Sequence, residues 1–172
     1  MNLNATLIGG RTPLPVSSSG LVLLAHAAPA LVESVIAAGW PAYTDATIRD
    51  GEALRGKLRR VRADGFAVAD GYIHTESRGI AVPVMGPHGV VYAAIGVVVA
   101  NDSTSPQPAI ELLTMAAAGI THALEEAYLP DGTAAPDGAR GIRALVSSSR
   151  RSLDYFASLD GEKATPVTGG PR

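Results

Sequence analysis

Hydrophobic positions in the first third of the chain predict one strand followed by two helices. Residues 3–8 alternate between apolar and polar side chains and end at a Gly-Gly pair, a pattern typical of a strand. Serines at 17–19 precede an apolar run and can cap it, so a buried helix is expected over about residues 18–28. Pro29 suits a first helical turn, so a second helix is expected to start there and end at Gly39.

The middle of the chain combines one amphipathic helix with three strands. Leu54, Leu58 and Val61 share a face of a helix predicted over residues 50–65, followed by a short strand at 66–69. Two β-rich runs at 80–85 and 90–99 are separated by Gly-Pro-His-Gly, which predicts a hairpin. Pro83 lacks an amide hydrogen, so its position should lie at an edge or face away from the partner strand.

The last part of the sequence predicts a long helix, a linker and a further helix. Ser105-Pro106 begins the long helix, which should run to about residue 128. Its inward-facing residues are expected to be Ile110, Leu113, Ala117, Ile120 and Leu124. The sequence predicts a main domain over residues 1–129, a linker over 130–141, an amphipathic helix over 142–157 and a disordered tail over 158–172. Helices and strands mix without a regular βαβ repeat, which indicates an α+β fold with a mostly antiparallel sheet.

Composition and charge describe a globular domain with no nucleic-acid-binding surface of its own. Of 172 residues, 47% are hydrophobic and 17% charged, with a net charge of −2. One basic cluster stands out, but its cations alternate with apolar residues at helical spacing, so we interpret it as a solvated helix face. The cluster comprises Arg55, Lys57, Arg59, Arg60 and Arg62. The sequence therefore predicts no DNA contact by this chain, and no apolar run is long enough to predict a membrane helix.

Candidate catalytic, metal and cofactor chemistry is weak. The absence of cysteine excludes disulfides, zinc thiolates and thiol nucleophiles. The four histidines, His26, His74, His88 and His122, form no metal-ligand motif. The serines at 17–19 lack the flanking glycines of a nucleophile elbow, and glycine-rich phosphate loops are missing. We expect no metal, no cofactor and no enzyme activity, although a small hydrolase or isomerase using these serines remains an alternative.

Three stretches in register resemble the effector-binding domain of IclR-type bacterial transcription regulators. The first, residues 12–25, reads TPLPVSSSGLVLLA and is similar to the extended segment and helix of that family. The second, residues 61–70, reads VRADGFAVAD. The third comprises RGIAVPV at 78–84 and AAIGV at 93–97, similar to the family's hairpin. The resemblance covers roughly residues 3–124.

The resemblance implies a GAF-like or profilin-like fold, in which a curved sheet with helices encloses a small-molecule pocket. It also implies a cytoplasmic homodimer or homotetramer that contacts DNA through a winged helix-turn-helix domain. We expect that domain to lie outside this sequence, in a longer protein from which the chain was cut. A pure dimerisation module with a vestigial pocket is a further alternative.

The expected effector site lies between a helix N-terminus and the sheet. Its helix side is predicted to be Ser17, Ser18, Ser19 and Gly20, and its sheet side Ala69, Gly79, Ala81, Gly96 and Val98. The family often has a polar or charged residue at position 69, Cys at 79 and Ser at 96 and 98, so this pocket should be less polar. We therefore expect an organic acid, with an aromatic acid as one candidate, held by helix amides and by Arg11 or Arg78. Strand glycines at 79 and 96 should leave room for a ligand, unless they mark a bulge or a closely packed helix.

Overall fold

The structure, a computed structural model, describes residues 12–86 and 89–127. Several predicted features lie outside these residues: the strand at 3–8, Arg11, the turn residues Pro87 and His88, the linker at 130–141, the helix at 142–157 and the tail. The described elements are α1 (Ser18–Ala25), α2 (Pro29–Ala38), α3 (Gly51–Asp64), β1 (Ala67–Asp70), β2 (Ser77–Met85), β3 (Val91–Ala100) and α4 (Gln107–Ala127). The predicted α+β class is confirmed.

The three described strands form an antiparallel sheet in the order β1-β2-β3. Strand β1 pairs with β2 only as far as Ala81, whereas β3 pairs along the whole of β2. Pro83 pairs with Ala94 and lies beyond the end of β1. The strand that carries Pro83 is therefore central, but the proline itself occupies a stretch with one strand neighbour, where its missing donor is tolerated.

Each face of the sheet packs against different helices. One face carries Ala67, Ala69 and Ala81 and contacts a core built from α1, α2 and α3, with Leu21 and Leu54 fully buried. The opposite face carries Ile80, Val82 and Val84 and packs against Ile110, Leu113 and Ala117 of α4. The period of two along β2 thus separates a small-residue face from a branched-residue face.

Helix ends follow the capping residues of the sequence. Asp50 accepts a hydrogen bond from the amide of Ala53 at the start of α3, and Gly65 ends this helix with φ near +77°. Gly39 ends α2 with φ near +70°. Helix α1 ends at Ala25, three residues earlier than expected, because Ala28 precedes proline and adopts an extended conformation.

The long helix α4 departs from the sequence prediction at one inward position. Ile110, Leu113 and Ala117 are buried and Leu124 packs partly against the same cluster, as expected. Ile120 is 40% exposed, so its predicted inward orientation is wrong. It lies toward a second apolar face of α4 that the sheet does not cover.

Two arginines of α3, Arg55 and Arg62, make hydrogen bonds to other parts of the chain. Arg55 binds Glu33 through two hydrogen bonds of 3.0 and 2.6 Å and also pairs with Glu52. Arg62 donates from Nε to the carbonyl oxygen of Ala25 at the end of α1. Burial lowers the pKa of Lys57, which is flanked by the apolar side of the helix. Arg59, Arg60 and Arg62 are exposed, which agrees with the interpretation of the basic cluster as a solvated helix face, and Arg55 is paired in addition.

Candidate functional site

The N-terminus of α1 is built by a short turn that leads into a serine cap. Residues Leu14–Val16 form a 3-10 turn, and Ser17 then caps α1 by accepting a hydrogen bond of 3.1 Å from the amide of Gly20. A Cβ on Gly20 would lie 2.1 Å from the carbonyl oxygen of Leu14, so only glycine allows the turn to fold back on the helix. The amides of Ser18 and Ser19 belong to the first helical turn and have no carbonyl partner within the helix.

The five predicted sheet residues all lie on the face of the sheet that meets α1. In the strand register, Ala69 pairs with Gly79, and Gly79 with Val98. The next row on this face pairs Ala81 with Gly96. The structure therefore brings the sheet side of the predicted site together in two adjacent rows.

Helix and sheet meet most closely where Ser18 lies against Gly79. A Cβ on Gly79 would be 2.9 Å from Ser18 Oγ and 3.8 Å from the Ser18 amide nitrogen. Ser18 is buried, and its Oγ makes no hydrogen bond to any residue in 12–86 or 89–127. Because Gly79 has no side chain, the Ser18 hydroxyl and the first helical amides face a small-residue surface. The space beside Gly79 is thus taken by α1, which agrees with the alternative of a closely packed helix and leaves a ligand unnecessary to explain this glycine.

No described helix covers the far side of the same face. Gly96 is exposed and Val98 is 55% exposed, although both belong to the face that packs on α1. A Cβ on Gly96 would lie 2.5 Å from the carbonyl oxygen of Ile80, on the neighbouring strand. Close approach of β2 therefore accounts for Gly96, and a larger side chain there would clash with the neighbouring strand instead of entering open space.

Arg78 does not serve this site. It belongs to the opposite side of β2 from Gly79, and its guanidinium bonds Asp70, Asn101 and the carbonyl oxygen of Thr104. The cation is thereby committed to joining the start of β2 to the segment after β3. Its predicted role as a donor to the effector is not supported by this orientation.

Catalytic chemistry at the serines lacks a base within the part of the chain that the structure describes. There, Ser17 Oγ is occupied by capping, and no histidine or carboxylate hydrogen-bonds to Ser17, Ser18 or Ser19. His26 instead approaches the carbonyl oxygen of Val22 at 2.9 Å through Nδ1. A nucleophilic serine requires a general base within hydrogen-bond reach, so the geometry gives the hydrolase alternative no support.

A second concave region, absent from the sequence prediction, lies beside the loop that follows α2. Thr47 is buried and accepts hydrogen bonds from the amides of Tyr43 and Thr44, while donating to the carbonyl oxygen of Tyr72 at 2.7 Å. Burial raises the pKa of Tyr72. The open cleft beside this loop has a volume of about 690 Å³. Its lining comprises Ala42, Tyr43, Thr44, Asp45, Ala46, Arg49, Asp70, Gly71, Thr75 and Asn101.

Comparison with known proteins decides the family. The family model of the bacterial transcriptional regulator IclR C-terminal domain matches residues 3–121, which is more than half of the chain. The chain belongs to the IclR family. A relative described as the Pca regulon regulatory protein of Pseudomonas putida is 37% identical over 91 residues, covering 52% of this chain and 31% of the relative.

Solved IclR structures share the fold. An IclR homolog from Microbacterium hydrocarbonoxydans complexed with 4-hydroxybenzoate is 40% identical with a TM-score of 0.67, covering 72% of this chain and 50% of that one. The C-terminal domain of Escherichia coli transcriptional regulator KdgR is 28% identical with a TM-score of 0.62, covering 67% of this chain and 73% of that domain. This chain thus spans about a third of the curated regulator and half of the Microbacterium protein.

The described residues of this IclR-family domain hold neither a cluster of metal-binding side chains nor a membrane-spanning helix. There, no group of three or more histidine, aspartate or glutamate side chains is arranged to hold a metal ion. None of the described helices has the length and apolar character required to cross a membrane. The surface between the N-terminus of α1 and the sheet therefore offers hydroxyl, amide and apolar groups for binding.

Proposed function

We propose that this IclR-family domain binds a monocyclic aromatic carboxylate between the N-terminus of α1 and the small-residue face of the sheet. The binding residues are Ser17, Ser18, Ser19 and Gly20 on the helix and Ala69, Gly79, Ala81, Gly96 and Val98 on the sheet. Ligand occupancy then regulates transcription in the cytoplasm through a DNA-binding domain of the same regulator.

The observation that carries the proposal is the free hydroxyl of Ser18. Its Oγ lies against Gly79 and makes no hydrogen bond within the described residues. The neighbouring amides of Ser18 and Ser19 are donors without helical partners, and the helix dipole favours an anion at this end. Three donors therefore lie at one helix end, where a carboxylate can be bound without a buried cation.

The apolar part of the proposed ligand matches the sheet side of the site. Ala69 and Ala81 are buried, whereas Gly96 and Val98 on the same face are exposed. An aromatic ring laid over Gly96 and Val98 would remove apolar surface from water at about 25 cal/mol per Å². A small keto acid has no group that would cover this surface, so an aromatic acid fits it better.

A related protein supports this ligand class. The Microbacterium homolog, 40% identical to this chain, was solved in complex with 4-hydroxybenzoate. The Pseudomonas putida relative is named as a regulator of the Pca regulon. We therefore select 4-hydroxybenzoate as the first ligand to test on this chain.

The test is a thermal-shift and calorimetric titration with ligands that differ by one group. We expect 4-hydroxybenzoate to raise the melting temperature saturably, because a ligand bound only by the folded state stabilises it by mass action. 4-Hydroxybenzyl alcohol, which lacks the carboxylate, should bind at least about ten-fold more weakly, a difference of about 1.4 kcal/mol. Equal binding of the two compounds, or no binding of either, would contradict the proposal.

Matched serine variants localise the binding. Ser18→Ala should weaken binding of 4-hydroxybenzoate while leaving the fold intact. Ser34→Ala is the control, because Ser34 is exposed on α2 and its Oγ donates only to the carbonyl oxygen of Leu31. If both variants bind like the parent chain, the ligand does not sit at the N-terminus of α1.

Self-association is the second part of the proposed function. Strand β3 exposes apolar side chains on both of its faces, with Val98 on the face that meets α1 and Val97 and Val99 on the opposite face, and Tyr92 is exposed as well. We propose that this strand contributes to a homodimer or homotetramer. Light scattering at tens of micromolar should then give a mass above that of one chain, and a purely monomeric mass would reject this part.

A further inference from the structure

Helix α4 has a second apolar surface, which we call the outer stripe: Leu112, Ala116, Gly119 and Ala123. These residues follow one another at intervals of four, three and four, so they align along one side of the helix. None belongs to the inner set that packs on the sheet, and Leu112 is 68% exposed. A Cβ on Gly119 would have no atom of the described residues within 4 Å. Another helix backbone could therefore approach α4 closely at Gly119.

Two exposed apolar side chains flank the outer stripe. Met115 is 72% exposed on one side and Ile120 is 40% exposed on the other. Together with Leu112 they form a continuous apolar surface along the helix, and such surfaces on folded proteins mark contacts with another segment or chain.

The chain continues beyond the residues that the family model matches. The model match ends at residue 121, whereas the chain continues to residue 172. Within that extension, residues 142–156 place Ile142, Leu145, Val146, Leu153 and Phe156 on one side of a predicted amphipathic helix. This predicted helix needs a partner for its apolar side, as the outer stripe does.

We propose that residues 142–156 form a helix that packs antiparallel on the outer stripe of α4 in the same chain. The lengths match, because 15 helical residues span about 22 Å, as does α4 from Leu112 to Ala127. The 14 residues between them, 128–141, can extend to about 46 Å and easily allow the chain to turn back. The rows of an antiparallel pair then join Leu112 with Phe156, Gly119 with Ser149 and Ala123 with Leu145.

Charge favours this segment over a second copy of α4. Helix α4 contains Glu111, Glu125 and Glu126 and no lysine or arginine. Residues 142–156 contain Arg143, Arg150 and Arg151 against one Asp154, so the two elements carry opposite net charge. Two α4 helices packed together would instead bring acidic residues of both copies to one interface, which opposes pairing.

A disulfide cross-link in the full chain tests the proposal, because the chain contains no native cysteine. Gly119→Cys combined with Ser149→Cys places the two thiols in facing rows without removing an apolar contact. The control pair is Ala118→Cys with Ser149→Cys, since Ala118 is exposed on a different side of α4. We expect the first pair to form an intramolecular disulfide about ten-fold faster than the control, because docking raises the effective concentration of the thiols.

Each outcome of the cross-linking decides the question. Equal rates for both pairs would show a tethered segment that does not dock, and would overturn the proposal. A disulfide-linked dimer as the main product would show that a second chain occupies the outer stripe. A further variant, Leu112→Asp in the Gly119/Ser149 pair, should lower the rate to that of the control without lowering helix content by circular dichroism. An unchanged rate in that variant would also overturn the proposal.

Discussion

Ser18 Oγ lies 2.9 Å from the point where Gly79 would carry a Cβ, so helix α1 and strand β2 meet with no space for one more carbon. The same contact leaves the Ser18 hydroxyl directed at bare backbone, without a hydrogen-bond partner in the described residues. The contact between Ser18 and Gly79 is therefore both the closest packing of helix on sheet in the site and the reason that the Ser18 hydroxyl lacks a partner among the described residues.

The first prediction concerns this pair. Gly79→Ala should destabilise the domain by about 1–3 kcal/mol, because the added methyl overpacks the contact with Ser18 Oγ. Adding Ser18→Ala should recover part of that loss, since the Ser18 Cβ is at 3.4 Å, an ordinary contact distance. Denaturant unfolding of both single variants and the double variant measures the coupling. Additive effects would mean that the two side chains do not meet.

The second prediction compares two helical glycines. Gly20→Ala should destabilise the domain by at least about 3 kcal/mol, because its methyl would lie 2.1 Å from a backbone oxygen of Leu14 that no rotamer change can move. Gly56→Ala in α3 should instead stabilise by about 0.5–1 kcal/mol, since only the tip of Arg59 lies within 4 Å of the added methyl. Melting curves of the two variants should therefore shift in opposite directions. Shifts of the same sign would refute the assigned close approach of the 3-10 turn.

Features set by local sequence signals were predictable. Asp50 and Gly65 bound α3 as expected, and the alternation along the hairpin assigned Ala69, Gly79, Ala81, Gly96 and Val98 to one face. The alanines near the end of α1 favour a longer helix than the structure shows. Helix α1 ends earlier because Pro29 restricts Ala28 to an extended conformation. A weak propensity cannot overcome a steric exclusion.

Features set by tertiary contacts were not predictable. Helix α4 carries two rows of small or apolar residues at helical spacing, one at 110, 113 and 117 and another at 112, 116 and 119. The sequence pattern does not show which row faces the sheet, so it could not exclude Ile120 from the core. The bonds from Thr44 and Thr47 to Gly71 and Tyr72 join residues 25 or more positions apart. No local pattern indicates such contacts, and the cleft beside them went unrecognised for that reason.

The third prediction concerns acid stability near the start of α4. Hydrogen bonds from the hydroxyl and amide of Thr104 lower the pKa of Asp102 from its ordinary value of 3.8. A carboxyl with a lowered folded pKa stabilises the fold at pH above its unfolded pKa, and this contribution is lost as the pH falls through the folded pKa. Asp102→Asn should therefore be less stable than the parent at pH 7, and the difference in unfolding free energy should shrink as the pH falls below 3.8.

Unfolding free energies of the parent and Asp102→Asn between pH 2 and 7 measure this effect. Asp45→Asn is the control, because Asp45 is fully exposed and bonds only Arg49 through a surface ion pair. A gap between parent and Asp102→Asn that persists unchanged at pH 2 would show that Asp102 acts through something other than its charge.

The fourth prediction concerns the loop beside the cleft. Thr47→Val keeps the side-chain shape but removes the hydroxyl that accepts from the amides of Tyr43 and Thr44 and donates to the carbonyl oxygen of Tyr72. A buried polar group left without a partner costs about 1–3 kcal/mol, so the unfolding free energy should fall by about 1–3 kcal/mol or more. Thr114→Val is the matched control, because Thr114 is exposed and donates only to a carbonyl one turn back in α4, so its effect should stay within about 0.5 kcal/mol. Equal losses in the two variants would show that a threonine hydroxyl, and not the buried position of Thr47, determines the effect.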